Sequence, residues 1–299
     1  MTELVQSSVI VPTRNRPELV VDTVRSILAG NAVPAELVVV DQSSEANPAL
    51  VELSGERWPG LRYIHSRTVG VSAARNVGVE SARHDILVLT DDDVLVAPGW
   101  LERLVSALVA APPRSVVTGK ILAGQSEAGG SVVPTERLTE TAWVLQGRPG
   151  RDGLLVISAA LYRSAFKDVG MFDERIGAGT RFGGGEDSDL GFRLLEAGYR
   201  IVYVPEAELV HRAWRSPGSS RRLRWEYGRG QGAFYAKHAS LADRYILGRM
   251  AKEAGRLVKL FPRRLARSRR RALGDAAYVA GLVADALGWW LGRGRSGPR

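Results

Sequence analysis

Ile86-Leu87-Val88-Leu89-Thr90-Asp91-Asp92-Asp93 is an aliphatic run that stops abruptly in three carboxylates. Four consecutive large aliphatics bounded by polar residues read as a strand buried on both faces, the kind found inside a parallel sheet. In open α/β sheets ligands bind beyond the carboxyl ends of the strands, so the aspartates are expected to face a ligand crevice. Adjacent like charges oppose one another's ionisation unless a positive charge offsets them, and a hard divalent cation with oxygen ligands answers that need. Asp-rich turns after strands also serve as helix caps and solvated loops. The flanking segments therefore have to decide.

Upstream, Val9-Ile10-Val11 followed by Pro12-Thr13-Arg14-Asn15-Arg16-Pro17 reads as a strand, a polar loop and a helix opened by Pro17. Val20, Val24, Ile27 and Leu28 then recur with the helical spacing of a segment that covers a sheet. A second buried strand, Leu37-Val38-Val39-Val40, ends at Asp41. A short strand near Tyr63-Ile64 and a helix over residues 72–81 precede the Asp-terminated strand. Alternation of this kind predicts parallel strands joined by right-handed crossovers, a doubly wound and mostly parallel α/β sheet.

Downstream, residues 98–111 carry a helical period and 116–122 read as a strand. Residues 123–152 are rich in Gly, Ser, Thr and Pro without a period, which predicts a long irregular loop of the sort that often serves function. A strand resumes over 154–161. Gly183-Gly184-Gly185 then leads into Glu186-Asp187-Ser188-Asp189 and a helix with Leu190, Leu194 and Leu195 inward, stopped by Gly198. Ile201-Val202-Tyr203-Val204 and a second apolar piece, Leu209-Val210, carry the chain to His211.

Composition bounds the answer. A chain of 299 residues buries a full core, and 45% hydrophobic with 24% charged residues is ordinary for a soluble protein. The absence of cysteine excludes disulfides and thiolate metal sites and fits a reducing compartment. Residues 1–8 lack the basic and apolar regions of a signal peptide. Charge is unevenly divided: residues 1–211 hold 20 Lys/Arg against 27 Asp/Glu, whereas residues 212–299 hold 21 against 5, so an acidic body precedes a tail of net charge +16.

Two acidic clusters at structural junctions carry the chemistry. Glu186 and Asp187 open a helix, where the macrodipole favours carboxylates and a plain cap is the simplest role. The three glycines ahead of them permit a sharp turn or a backbone pressed against a bound group, and a carboxylate held there can act as a general base toward an acceptor hydroxyl. His211 ends a strand where the charge changes sign. A neutral imidazole there is either structural or a ligand for a divalent ion. Arg75 and Asn76 fall in the first turns of a helix rich in small residues, where a phosphate would be attracted and an arginine adds a bidentate donor; a surface arginine is the plainer role.

In order and content these pieces resemble the inverting glycosyltransferases of family 2, which have the GT-A fold. The resemblance rests on Val9-Ile10-Val11-Pro12-Thr13-Arg14-Asn15, Val40-Asp41-Gln42-Ser43-Ser44, Ala74-Arg75-Asn76-Val77-Gly78, Thr90-Asp91-Asp92-Asp93 and Gly185-Glu186-Asp187, over roughly residues 7–211. It implies a nucleotide pocket at Pro12, Thr13, Arg14 and Asp41 with Arg75 nearby, and Asp91 and Asp92 beside the donor. It further implies a Mg²⁺ or Mn²⁺ site at Asp91, Asp93 and His211, and Asp187 as the base with Glu186 beside it. One departure stands out: where the family's second strand usually ends in Asp-Gly-Ser, Gln42 follows Asp41 here.

The implied reaction is metal-dependent, inverting, nonprocessive transfer from a nucleotide-diphosphate sugar to a hydroxyl acceptor, either a glycolipid, a cell-surface glycan precursor or another glycoconjugate. The expected division is a catalytic domain over 1–211 and a basic, mainly helical region over 212–299. In that tail, arginines interleave with Trp214, Trp225, Tyr227, Phe234 and Tyr235 and culminate in residues 263–271, a pattern that suits nucleic acid or an anionic membrane. The apolar stretch 272–291, closing in Trp289-Trp290, favours the membrane, as an interfacial helix at the cytoplasmic face. Asp275 and Asp285 argue against a full span and fall on one narrow polar face. Arg221-Arg222-Leu223-Arg224-Trp225 superficially matches an element of processive polysaccharide synthases, and the segment 227–232 resembles the tails of small nonprocessive relatives, where it would meet acceptor or membrane. A sugar-phosphate nucleotidyltransferase is the enzymatic alternative, although Pro12-Thr13-Arg14-Asn15 lacks its glycines. A nonenzymatic nucleic-acid-binding protein would explain the tail and leave the acidic body unused.

Overall fold

The computed structural model describes residues 3–54, 58–124, 135–212 and 220–293. Four parallel strands form the first half of its sheet: β3 (Leu61–His65), β2 (Ala32–Asp41), β1 (Glu3–Thr13) and β4 (Ile86–Thr90), in that spatial order. Their aliphatics alternate between two cores because successive strand side chains point to opposite faces. Val9, Val11, Leu37, Val39 and Val88 join one core with α1 (Pro17–Leu28) and α4 (Trp100–Ala110). Ile10, Val38, Val40, Leu87 and Leu89 join the other with α3 (Val71–Ser81), α5 (Ser164–Val169) and α6 (Glu186–Glu196). Burial of each large aliphatic stabilises the fold by about 1.5–3 kcal/mol.

Beyond β4 the sheet becomes mixed. β8 (Ser158–Tyr162) runs antiparallel between β4 and β6 (Ser115–Ala123), and β9 (Arg200–His211) pairs parallel with β6. The two apolar pieces expected near 201–204 and 209–210 are one twelve-residue strand. Its register against β6 jumps between Val204 and Glu208, and the bulge accommodates Pro205, which has no N–H to donate. The stretch expected as loop over 123–152 contains a four-residue strand, β7 (Trp143–Gln146), antiparallel to β9, with Trp143 stacked on Tyr203 at 5.0 Å; residues 125–134 of that stretch lie outside the described residues.

Three helices follow: α7 (Ser220–His238), α8 (Tyr245–Arg267) and α9 (Arg269–Gly288). Trp214, singled out in the tail, lies outside the described residues. α9 packs along α7 at backbone contact, because Gly228 and Gly232 leave room for the Tyr278 and Leu282 carbonyls; a Cβ at either glycine would fall 2.0–2.1 Å from them. The polar face expected of α9 is its inner one, with Asp275 paired to Arg224 at 3.0 Å and Asp285 to Arg229 at 2.8 Å. Tyr278 and Leu282 complete a core with Phe234, Tyr235, Ile246 and Leu257, against which Phe192 of α6 packs. Among the described residues no helix is long and apolar enough to cross a membrane.

Candidate active site

Strand order places the crevice. β2 and β3 lie on one side of β1 and β4 on the other, so the strand order reverses between β1 and β4, the switch point at which α/β sheets bind ligands. There the Thr13 hydroxyl donates to Asp92 Oδ2 at 2.7 Å, tying the end of β1 to the Asp cluster. Thr23 of α1 bridges the backbone of Asp92 and Val94 from behind, accepting the Val94 N–H. The three aspartates are therefore held on a braced turn.

A cleft of about 720 Å³ opens at this point. It is lined by Pro12, Thr13, Arg14, Arg75, Asp91, Asp92, Asp93, Glu186, Asp187 and His211, so two acidic clusters almost a hundred residues apart meet around one space. Arg75 joins them. Its guanidinium lies 2.7 Å from Asp91 Oδ1, 3.3 Å from Glu186 Oε1 and 3.7 Å from Asp187 Oδ1, and the side chain is almost wholly buried. The second turn of α3 thus delivers a cation to the centre of the cleft.

Asp41 is set apart. Its carboxylate accepts from Tyr63 Oη at 2.6 Å and from the Ser43 N–H at 2.8 Å, and it lines an adjoining hollow that shares Thr13 with the main cleft. Gln42, the departure from the usual family pattern, reaches across to donate to Thr68 Oγ1 at 2.7 Å and to the Gly70 carbonyl at 3.1 Å, forming part of the main cleft wall.

The Asp187 carboxyl is the most perturbed carboxyl of the cleft. One oxygen accepts from the Val156 N–H at 3.0 Å, while Oδ1 is shielded without a hydrogen-bond partner. Burial first, and then the charge of Glu186, push it up to about 7 against the pull of Arg75. That is the range in which a carboxylate can take a proton near neutrality. Burial also raises Asp92, although Arg16 opposes the shift.

Asp93 sits between a guanidinium and an imidazole. Arg16 Nη1 donates to it at 2.7 Å and to Asp92 at 2.9 Å, while His211 Nε2 lies 3.3 Å from its other oxygen. His211 arrives there because β9 pairs antiparallel with β5 (Val94–Val96), in register with Val94. Burial lowers its pKa, but the bond to Asp93 outweighs this and the imidazole is held above its ordinary value.

The fit to a divalent ion depends on what else would bind it. Among the described residues no group of three His, Asp or Glu side chains converges at ligating distance; Asp93 and His211 form a pair, and Asp91 is turned to Arg75. A Mg²⁺-type ion is ordinarily held by one or two protein ligands plus substrate phosphates and water. Asp93 and His211, which line the cleft, fit an ion of that shared kind.

Two lining residues have no signal in the sequence: Arg16, since nothing local distinguishes it from Arg14, and Tyr278 of α9. Tyr278 forms one wall of the cleft with Leu223, Arg224, Tyr227 and Gln231 of α7, which fall in the segments 221–225 and 227–232, the second of them expected to meet acceptor or membrane. The triple glycine makes the sharp turn expected of it and also a close backbone approach. Gly185 adopts a left-handed φ of +89° and lies against Gly230 of α7, where a Cβ would meet the Gly230 carbonyl at 2.6 Å. The group pressed against these glycines is a helix of the same chain.

The family model for glycosyl transferase family 2 matches residues 8–165. A pre-mycofactocin glycosyltransferase of Mycobacterium tuberculosis is 32% identical over 213 residues, which cover 68% of this chain and 42% of that relative, so the chain spans less than half its length. The succinoglycan biosynthesis protein ExoM of Rhizobium meliloti is 28% identical over 287 residues, with 91% of each chain covered. Among solved structures, a mannosyltransferase from Pyrobaculum calidifontis in complex with GDP-Man and Mn²⁺ superposes with a TM-score of 0.60 at 19% identity, covering 94% of this chain and 86% of that one. S. aureus TarS 1-349 gives 0.59 at 17%, covering 96% and 92%. Likeness at those identities speaks to the fold, which is GT-A. With the family model spanning more than half of its length, the chain belongs to glycosyl transferase family 2.

Proposed function

We propose that the protein transfers a sugar from a nucleotide-diphosphate donor to an acceptor hydroxyl in a single displacement that inverts the anomeric carbon. Asp187 takes the acceptor proton as the acceptor oxygen bonds to that carbon and the bond to the diphosphate breaks. The observation that carries this reading is the shielded Asp187 carboxyl facing the Asp91–Asp93 turn across one cleft, with Arg75 between them. Arg75 orients Asp187 and offsets the charge that gathers when a diphosphate enters. Asp93 and His211 would hold a Mg²⁺ or Mn²⁺ ion, which when bound supplies positive charge to the departing diphosphate. Thr13, with Asp41 in the adjoining hollow, would bound the nucleoside, and Arg14 would line its approach.

Residues 1–211 then act as the catalytic unit and 212–299 as the part that closes the acceptor side, where Arg224 and Tyr227 face the cleft. The acceptor is a glycolipid or cell-surface glycan precursor at the cytoplasmic face of the membrane. A panel of nucleotide sugars screened by thermal shift with and without Mn²⁺ tests the reading. One donor should raise the melting temperature in a metal-dependent way and be consumed with inversion; silence across the panel would reject it.

A further inference from the structure

From Ala272 onward the outward side of α9 and of the turn that follows it is apolar. Every exposed residue between 272 and 291 is Leu, Ala, Val or Trp. Leu273, Ala280, Val283, Leu287 and Trp290 recur at three-, four- and seven-residue steps and so lie along one side of the helix, with Leu287 and Trp290 each 49% exposed and Leu291 76% exposed. The inner side is already used, since Tyr278, Leu282 and the two aspartates face the other tail helices. A contiguous apolar strip of this kind on a soluble surface marks an interaction site.

Charge identifies the partner. The strip begins at the corner between α8 and α9, where Arg263, Arg264, Arg267, Arg269, Arg270 and Arg271 occupy nine residues. A second copy brought against the strip would set two tails of net charge +16 against each other. An anionic lipid surface satisfies both features, taking the apolar side chains into the headgroup boundary and the guanidiniums onto phosphates. Trp290 at the far end suits the same interface.

We infer that α9 lies flat on an anionic bilayer through Leu273, Val283, Leu287, Trp290 and Leu291, with the arginine corner beside it on the lipid phosphates. Asp275 links this face to the cleft: it accepts from Arg264 of the corner and from Arg224, which lines the cleft, so the rim lies one carboxylate from the bound surface. Only this last step, delivery of a lipid-borne acceptor to the rim, rests on the transferase reading.

The test is flotation of the full chain with phosphatidylcholine vesicles, pure or carrying about 30% phosphatidylglycerol, at low salt and at roughly 0.5 M salt. Binding is expected with the anionic vesicles at low salt and weakly or not at all with the neutral ones. The double variant Val283→Asp, Leu287→Asp should lose about tenfold or more in partitioning, and Arg269→Glu with Arg270→Glu should lose the dependence on phosphatidylglycerol. Calorimetric binding of UDP or GDP, unchanged in both variants, verifies that the fold and donor site survive. Failure of the natural chain to float at low salt overturns the inference, as does equal flotation of the aspartate variant. A dimer by light scattering that Leu287→Asp dissolves would assign the strip to a second copy instead. Vesicle binding with no nucleotide bound at all would fault the transferase reading and leave the lipid face standing.

Discussion

Asp187 and Arg16 carry opposite electrostatic duties within one cleft, and each makes a sharp prediction. Asp187 is kept largely protonated below about pH 7 by burial and by Glu186, so a base in this position gives a rate that climbs through that range and levels above it. Asp187→Asn should cost about 10²–10⁴-fold in kcat with nucleotide affinity within about twofold, read by initial rates and calorimetry; near-normal turnover would remove Asp187 from the base role. The stability sign runs the other way. A carboxyl whose folded pKa is raised loses stability as pH climbs from the ordinary carboxylate range through about 7, so the Asn variant should be the more stable protein at pH 8. Arg16 offsets Asp92 and Asp93. Arg16→Met takes the guanidinium from beside two buried carboxylates, which destabilises the fold by about 3–5 kcal/mol where both stay charged. Its melting temperature should fall in EDTA and recover in part with Mn²⁺ or at pH 5; no recovery with Mn²⁺ would count against a metal beside Asp93.

At the scale of elements, α6 is fastened to the tail through Asp189, which accepts from His238 of α7 at 2.7 Å and pairs with Lys237 at 2.8 Å and with Arg193 at 3.0 Å. Burial pushes this carboxyl up, but the bond from His238 and the charges of Arg193 and Lys237 outweigh burial and hold it at about 2. A depressed carboxyl contributes stability that is full above the ordinary carboxylate range and lost as pH falls toward 2. Asp189→Asn should therefore lower stability by about 3–5 kcal/mol at pH 7 and flatten the acid limb of the denaturant-measured profile. A parallel acid limb in the variant would show that the clamp is not the titrating contact. The contrast between α6 and its neighbours also shows what a sequence discloses. Helix α6 was legible from Leu190, Leu194, Leu195 and Gly198, and the parallel strands from their aliphatic runs, because burial on both faces of a sheet imposes continuous hydrophobicity. β9 was read as two pieces since Pro205 and its bulge interrupt the run. The Asp91–Asp93 turn and Glu186-Asp187 could be named as site candidates from local pattern alone. Residues 227–232 of α7 could be named from their likeness to the tails of small nonprocessive relatives, but Arg16 and Tyr278 could not, because their place depends on how distant segments pack.

The molecule as a whole is an acidic body whose cleft is walled on one side by a basic tail, and the seam between them is a meeting of glycines. A Cβ on Gly230 would fall 2.2 Å from the backbone of Gly184, which no rotamer change relieves, so even the smallest added side chain has to part the two. Gly248, in α8, has nothing within 4 Å of a Cβ and serves as the matched control. Alanine favours a helix over glycine by about 0.5–1 kcal/mol, so Gly248→Ala should leave the protein unchanged or slightly more stable. Gly230→Ala carries the same propensity gain, and any loss in it reads the seam alone. If α7 supplies the acceptor wall, Gly230→Ala should lower the melting temperature and raise the acceptor KM while the nucleotide Kd stays within about twofold, because the Asp91–Asp93 turn is braced by Thr13 and Thr23 from the body. A loss confined to kcat would mean instead that the tail holds the Glu186-Asp187 helix start in place and takes no part in presenting the acceptor.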